Sequence, residues 1–172
     1  MRLLRRGLIV TKIPEFLDLG EQAYEDTYEQ MRSLVKAQLF KDQIWLLEHP
    51  SVFTLGTAAD PSNVLNPGDI PVLQTDRGGE VTFHGPGQLV IYFLLDIKSK
   101  KIGPKIMVAN LQLIIQKVLR HYSIESSFIE GAPGVYVENK KIASIGLRFS
   151  GGRSYHGISI NVDMNLTPFS LI

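Results

Sequence analysis

The stretch Arg77-Gly-Gly-Glu-Val-Thr-Phe-His-Gly-Pro-Gly-Gln-Leu-Val-Ile-Tyr92 places four glycines, a proline, an arginine and a histidine between two apolar strands. Paired glycines let a backbone approach a ligand closely and leave amide N–H groups open to it. A histidine beside them can donate, accept or shuttle a proton near neutral pH. The residues by themselves allow two readings: a ligand-contacting loop, or a hairpin with a glycine-rich bend and a surface histidine. The spacing fits neither the dinucleotide fingerprint nor the P-loop, and no Gly-Lys-Ser/Thr closes it.

The second of those strands, Gln88–Asp96, holds the longest apolar run, Leu89–Leu95. That is far short of the ~20 residues that cross a bilayer. Upstream, a first strand is expected at Gly7–Ile13. From about Asp18 to Leu39 the apolar positions Tyr24, Tyr28, Met31, Val35 and Leu39 recur at steps of four and three, which puts them on one helix face. The opposite face is acidic early (Glu21, Glu25, Glu29) and basic late (Arg32, Lys36), as a helix dipole prefers. Strands are expected at Gln43–Glu48 and Ser51–Leu55, with a turn-rich loop at Pro61–Gly68. Further strands fit Val72–Thr75 and Glu80–His84. Gly103-Pro104 should open a helix running to about Tyr122, since proline at the first position loses no needed hydrogen bond. Three more strands fit Val135–Glu138, Lys141–Phe149 and Tyr155–Asn161, the first pair joined by a tight Asn139-Lys140 turn. Many strands with two long helices, one early and one late, argue an α+β fold with a mixed, largely antiparallel sheet and flanking helices.

A chain of 172 residues is long enough for one domain with a core and short for two, so residues 1–172 are read as a single domain. The net charge of +1 sets up no strong field toward nucleic acid or a membrane surface. The start carries charge without a long apolar stretch or a small-residue cleavage site, and does not read as a signal peptide. Cysteine is absent, which removes disulfides, thiolate metal sites and thiol chemistry from these 172 residues. Four histidines without paired spacing make a metal site improbable, and no cofactor is implied. A cytoplasmic protein with no nucleic-acid or membrane partner is the expectation.

As a string, the glycine-rich segment resembles the signature of the lipoyl(octanoyl) transferase family, through its Arg-Gly-Gly opening, Thr82, His84, Gln88 and Tyr92. A second block, Lys141-Ile-Ala-Ser-Ile-Gly-Leu-Arg148, resembles that family's lysine-bearing strand. A third, Ser154-Tyr-His-Gly-Ile-Ser-Ile-Asn-Val162 followed by Asn165-Leu-Thr-Pro-Phe169, resembles its late strand and exit loop. The resemblance implies the fold of the biotin and lipoate protein ligases. It also implies an activity, octanoyl transfer from acyl carrier protein to a lysine of lipoyl domains, including those of 2-oxoacid dehydrogenase complexes and the glycine cleavage H protein. A family cysteine takes the acyl group as a thioester, and a lysine, here Lys141, lowers its pKa. The chemistry is sound, because only the thiolate attacks and a nearby ammonium favours it. Lys140 would point to the other face of the strand.

Substrate contacts implied in the same way fall on three walls. Arg77, Gly78, Gly79, Glu80, Val81, Thr82, Phe83 and His84 form one, Ser144, Ile145 and Gly146 another, and Gly157, Ile158 and Ser159 a third. Small residues at Gly78, Gly79, Gly146 and Gly157 suit a narrow slot for an eight-carbon chain, whose burial contributes about 0.8 kcal/mol per methylene. His156 is read as a strand-end histidine satisfied by a hydrogen bond in preference to a site neighbour. His49 and His121 are read as structural or exposed.

Two features depart from the family pattern. Its nucleophile lies in an Asn-Pro-Cys-Gly segment shortly after the Pro-Phe of the exit loop, and this sequence ends at Pro168-Phe-Ser-Leu-Ile172. The expectation is a C-terminally incomplete catalytic domain, inactive as it stands, with a cysteine-free binding protein as the alternative. Arg153 also stands where related sequences often have a cysteine. The rival enzyme is a lipoate protein ligase, for which Lys141 could serve but no nucleotide motif is present. The rival from another class is a non-catalytic acyl- or carrier-binding module. Two basic clusters, Arg2/Arg5/Arg6 and Lys98/Lys100/Lys101/Lys105, are candidates for meeting acidic carriers, the second preferred.

Overall fold

The computed structural model describes residues 13–172, so the strand expected at Gly7–Ile13 and the Arg2/Arg5/Arg6 cluster lie outside the described residues, apart from Ile13 itself. A seven-stranded sheet is built from β1 (Glu15–Glu21), β2 (Gln43–Glu48), β6 (Gln88–Asp96), β10 (Arg153–Asn161), β9 (Lys140–Ser150), β8 (Ala132–Val137) and β7 (Ser127–Ile129), in that spatial order. Only the β1–β2 pair is parallel. A second sheet of three strands sets β3 (Val52–Leu55) between β4 (Val72–Gln74), parallel to it, and β5 (Val81–His84), antiparallel. The mixed, largely antiparallel α+β expectation is met.

The helices cover opposite faces of the large sheet. In α2 (Pro104–His121), Met107, Leu111, Ile115 and Leu119 recur every fourth position and are buried against Val135, Ala143, Ile145, Leu147 and Ile158. On the other face α1 (Tyr24–Lys36) sends Met31 and Val35 into a cluster with Trp45, Leu47, Val90, Tyr92, Leu94 and Tyr155. The residues that carry chemistry in the expected site belong to this second face.

Three expectations need correction. The early helix does not start near Asp18. Residues 15–21 form an edge strand instead, whose Leu17 and Leu19 alternate into the second cluster and whose Gly20 adopts φ +62°. Nor does the helix reach Leu39, which is 92% exposed, because a cap supplied from β10 ends it. There Arg153 Nη1 donates to the carbonyls of Val35 (2.7 Å) and Ala37 (2.8 Å), satisfying end carbonyls that have no partner in the helix itself. The tight turn between β8 and β9 falls at Glu138-Asn139, both with positive φ (49° and 63°), one residue earlier than expected. Positive φ at both central residues is the two-residue hairpin geometry that matches strand twist. Strand β7 carries no alternating pattern to mark it, since its three residues are all exposed.

Candidate functional site

The three expected walls come together in space. Gly78 N–H donates to Leu147 O at 3.0 Å, which lays the Arg77-Gly78-Gly79 segment across β9. Gly146 pairs with Gly157 and Ser144 with Ser159 across β9–β10. Alternation sorts them: Ser144, Gly146 and Ser159 share the face on which the glycine segment sits, whereas Ile145 and Ile158 are buried with α2 on the opposite face. Phe83 is turned inward as well, between Phe53 and Phe169. At Gly78, Gly146 and Gly157 neighbouring backbone fills the space a side chain would take, whereas Gly79 meets only the Arg77 guanidinium. A Cβ at Gly146 would stand 2.9 Å from Gly78 O, and one at Gly157 only 1.9 Å from Ile91 O.

Arg77 anchors this patch. Its guanidinium is buried and donates to Thr54 Oγ1 (3.0 Å), Thr54 O (2.6 Å), Glu80 O (2.7 Å) and Gly78 O (3.0 Å). Among the described residues no carboxylate pairs with it. Carbonyl dipoles from β3 and from the loop therefore balance a buried charge, with two of the fork's four hydrogen bonds on Thr54 and two on the backbone of Gly78 and Glu80.

Lys141 reaches the same face through an irregularity. Val137 pairs with Lys140 and Tyr136 with Lys141, but Val135 pairs with Ala143 and Gly134 with Ser144, so Ile142 is the extra residue of a β-bulge. In an unbroken strand Lys141 would share the face of Ala143, Ile145 and Leu147, against α2. The bulge turns it to the face of Ser144 and Gly146, where its exposed side chain runs along Gly134 and its Nζ stands 5.6 Å from the Tyr136 ring centroid.

Three buried histidines stand behind the patch. His49 joins Gln22 O (2.7 Å) to Tyr92 Oη (2.7 Å), so it donates through Nδ1 and accepts the tyrosine proton at Nε2. His84 contacts Gln88 Oε1 at 2.7 Å, and Gln88 in turn donates to Asn161 Oδ1. His156 is not a strand-end residue: it lies in mid-β10 with φ +56°. That backbone puts Tyr155 and His156 on one side, where both hydrogen-bond the two oxygens of Asp76. Burial alone would raise the Asp76 carboxyl, yet the hydrogen bonds from His156 and Tyr155 hold it well below the usual carboxylate range. His156 Nδ1 and Tyr24 Oη are buried without a hydrogen-bond partner among the described residues.

Sequence and structure comparisons converge on one group. Residues 23–172 match the model of the lipoyl protein ligase A/B catalytic domain. The chain belongs to the lipoyl protein ligase A/B catalytic domain family. It is 50% identical over 158 residues to an octanoyltransferase of Francisella tularensis subsp. novicida, a match covering 90% of this chain and 77% of that protein. It is also 50% identical over 159 residues to an octanoyltransferase of Pseudomonas putida, covering 91% and 74%. Among solved structures it resembles lipoate-protein ligase A bound with ATP (TM-score 0.73, 13% identity, 93% of this chain and 71% of that one). A biotin protein ligase from Aquifex aeolicus gives TM-score 0.57 at 17% identity, over 92% and 57%. The fold is that of lipoate and biotin protein ligases, as the sequence motifs implied.

The lysine cluster expected to meet a carrier lies just beyond β6. Lys98, Lys100 and Lys101 follow Asp96 at one end of β6, while Gly157 of the site pairs with Tyr92 in the middle of that strand. Lys100 is also paired with Asp42 at 2.6 Å. Among the described residues no helix is long and apolar enough to cross a membrane, and no group of three or more His, Cys, Asp or Glu could hold a metal ion. Sequence reading missed Asp76, Gly134 and Tyr136. Asp76 had a usable signal, since it directly precedes the Arg-Gly-Gly opening.

The buried histidines make acid destabilising. Burial pushes His49 down to about 4 and His84 down to about 3, so both are neutral in the fold. An unfolded chain protonates them below about pH 6.5 and so binds more protons than the folded one. Stability is then full above that value and declines as pH falls toward 4 and then 3. Asp76, with its lowered carboxyl, adds a loss in the same direction below its ordinary value of 3.8. For His49 alone the full effect is roughly 3 kcal/mol. Melting temperature should therefore fall by several degrees between pH 7.5 and 4.5, and His49→Gln should flatten that slope. A melting temperature level across this range would contradict neutral burial of the histidines.

Proposed function

We propose that this protein is an octanoyltransferase that carries an octanoyl group from a thioester donor to a lysine of a lipoyl-bearing acceptor domain. The supporting observation is the single face that gathers Arg77–Gly79, Ser144, Gly146, Ser159 and, through the β9 bulge, Lys141. Two relatives at 50% identity bear that activity's name. Acyl carrier protein is the proposed donor, and the lipoyl domains of 2-oxoacid dehydrogenases and the glycine cleavage H protein are the proposed acceptors. In the first half-reaction a thiolate attacks the donor thioester, its S–C bond forms, and the carrier thiol leaves. In the second, the acceptor amine attacks the enzyme thioester, the amide forms and the enzyme thiol is released. Lys141 acts as the cation that favours the thiolate. The thiol is not among these 172 residues, which contain no cysteine.

Two expected outcomes follow. The 172-residue chain, mixed with octanoyl-acyl carrier protein and a lipoyl domain, should transfer nothing above the protein-free blank, read by mass spectrometry of the domain. A form of the protein carrying the family thiol should transfer octanoate from the thioester without ATP. Transfer that required ATP and free octanoate would replace this reading with a ligase. Turnover by the cysteine-free chain would overturn the thioester route.

A further inference from the structure

Exposed lysines ordinarily sample many rotamers, and a cation whose role is to sit beside a thiol must be kept in one place. Lys141 is exposed, so packing on all sides does not hold it. What lies beneath it is strand β8. Gly134 is buried, and a Cβ built on it would stand 3.2 Å from Lys141 Cε and 3.4 Å from Cδ, which means the lysine's own methylenes occupy the space a side chain would take. Two residues on, the Tyr136 ring is 6% exposed, holds its hydroxyl to Ala132 O at 3.3 Å, and lies under the Lys141 ammonium. Val135 between them is fully buried on the α2 face and pins the strand. Glycine, then aromatic face, then ammonium form a track that runs along Lys141 from its Cδ to its Nζ.

We propose that Gly134 and Tyr136 are positioning residues for Lys141: the bare backbone of one receives its methylenes and the ring of the other receives its ammonium, fixing where the positive charge stands. This rests on the reading of Lys141 as the charge that serves the thiol. A cation over an aromatic face is drawn to the ring's negative quadrupole, and the attraction survives at exposed sites. The same ring restricts the rotamers of a chain that otherwise loses much entropy when fixed. Alternation predicts none of this, because the bulge at Ile142 is what brings Lys141 opposite Tyr136 and over Gly134.

The geometry can be read on this chain without any turnover. Lysines are reductively methylated with isotopically labelled formaldehyde, and the Lys141 signal is assigned with Lys141→Arg. A nuclear Overhauser cross-peak between that signal and the Tyr136 ring protons is expected. It should persist in Tyr136→Phe and vanish in Tyr136→Leu, where Lys141 should become as freely labelled as Lys140. Gly134→Ala forces a Cβ to 2.7 Å from Ala143 O at a φ of +153°, so it strains the fold as well as the lysine. The Tyr136 pair, checked for equal melting temperature, avoids that difficulty. In a thiol-bearing form Tyr136→Leu should lower kcat several-fold with KM for the octanoyl thioester unchanged, and Tyr136→Phe should restore it. Absence of the cross-peak in the wild-type chain, or full kcat in Tyr136→Leu, overturns the positioning role. If instead Lys141→Ala keeps full rate while the cross-peak is present, it is the role of Lys141 that fails, and the two failures are told apart.

Discussion

Replacing Lys141 by alanine in a thiol-bearing form of the protein should lower octanoyl transfer by about 10²-fold or more, the usual worth of a proton-managing group beside a nucleophile. Binding of the acyl group should change little, since Lys141 stands on the rim of the patch and is exposed. The loss should therefore fall on kcat. The route is electrostatic: an ammonium near the thiol favours the thiolate, and without it the thiol titrates at higher pH. Alkylation of the thiol, followed against pH, should shift upward in Lys141→Ala and only slightly in Lys141→Arg, which keeps the charge. An alkylation profile identical to the parent's would remove Lys141 from the mechanism. Lys140 provides the internal control, because it pairs with Val137 across the hairpin and falls on the opposite face. Lys140→Ala should leave the rate close to that of the parent.

The second large effect is on stability. Arg77→Ala removes four hydrogen bonds from a buried fork and leaves the carbonyls of Thr54, Gly78 and Glu80 without their donor. Buried acceptors stripped of a partner cost about 1–3 kcal/mol each, less whatever water recovers. A net loss of roughly 4 kcal/mol is expected, on the order of 10 °C in melting temperature for a chain of this size. Arg77→Lys should recover little of it, since one ammonium cannot reach Thr54, Gly78 and Glu80 together. Thermal unfolding of the parent and both variants checks this, and a loss of less than about 2 °C in Arg77→Ala would show that the clamp is dispensable. Because the same bonds shape residues 77–80, both variants should also lose the glycine patch and, in a thiol-bearing form, activity. Arg77, which the family resemblance implies as a substrate contact, is buried and holds the backbone of Gly78 and Glu80.

The elements that sequence placed well are those whose local signal is strong. Gln88–Asp96 is delimited residue for residue by polar ends on an apolar run, and the start of α2 by Gly103-Pro104. The three motif blocks named the family because they preserve chemistry at fixed intervals. Period-2 alternation also separates Lys140 from Lys141. What it could not give is which face Lys141 takes relative to Ser144. A single extra residue inverts that assignment, and Ile142 carries no mark of being extra.

The start and end of α1 were out of reach for a related reason. Leu17 and Leu19 alternate as a strand does, but two apolar positions are too short a run to set a boundary against the helical repeat that begins at Tyr24, and pairing with β2 decides it. The far end is closed by Arg153, more than a hundred residues away in sequence, whose donors no local window contains. His156 shows the same division. The sequence determined that a histidine stands beside Gly157 in the late strand; the tertiary structure decided that it turns inward at positive φ to meet Asp76, a partner brought from the far side of the glycine loop. Local pattern fixes which residues can pair or pack, and a bulge, a borrowed cap or a left-handed backbone then decides where they point, because each depends on neighbours that only the folded chain assembles.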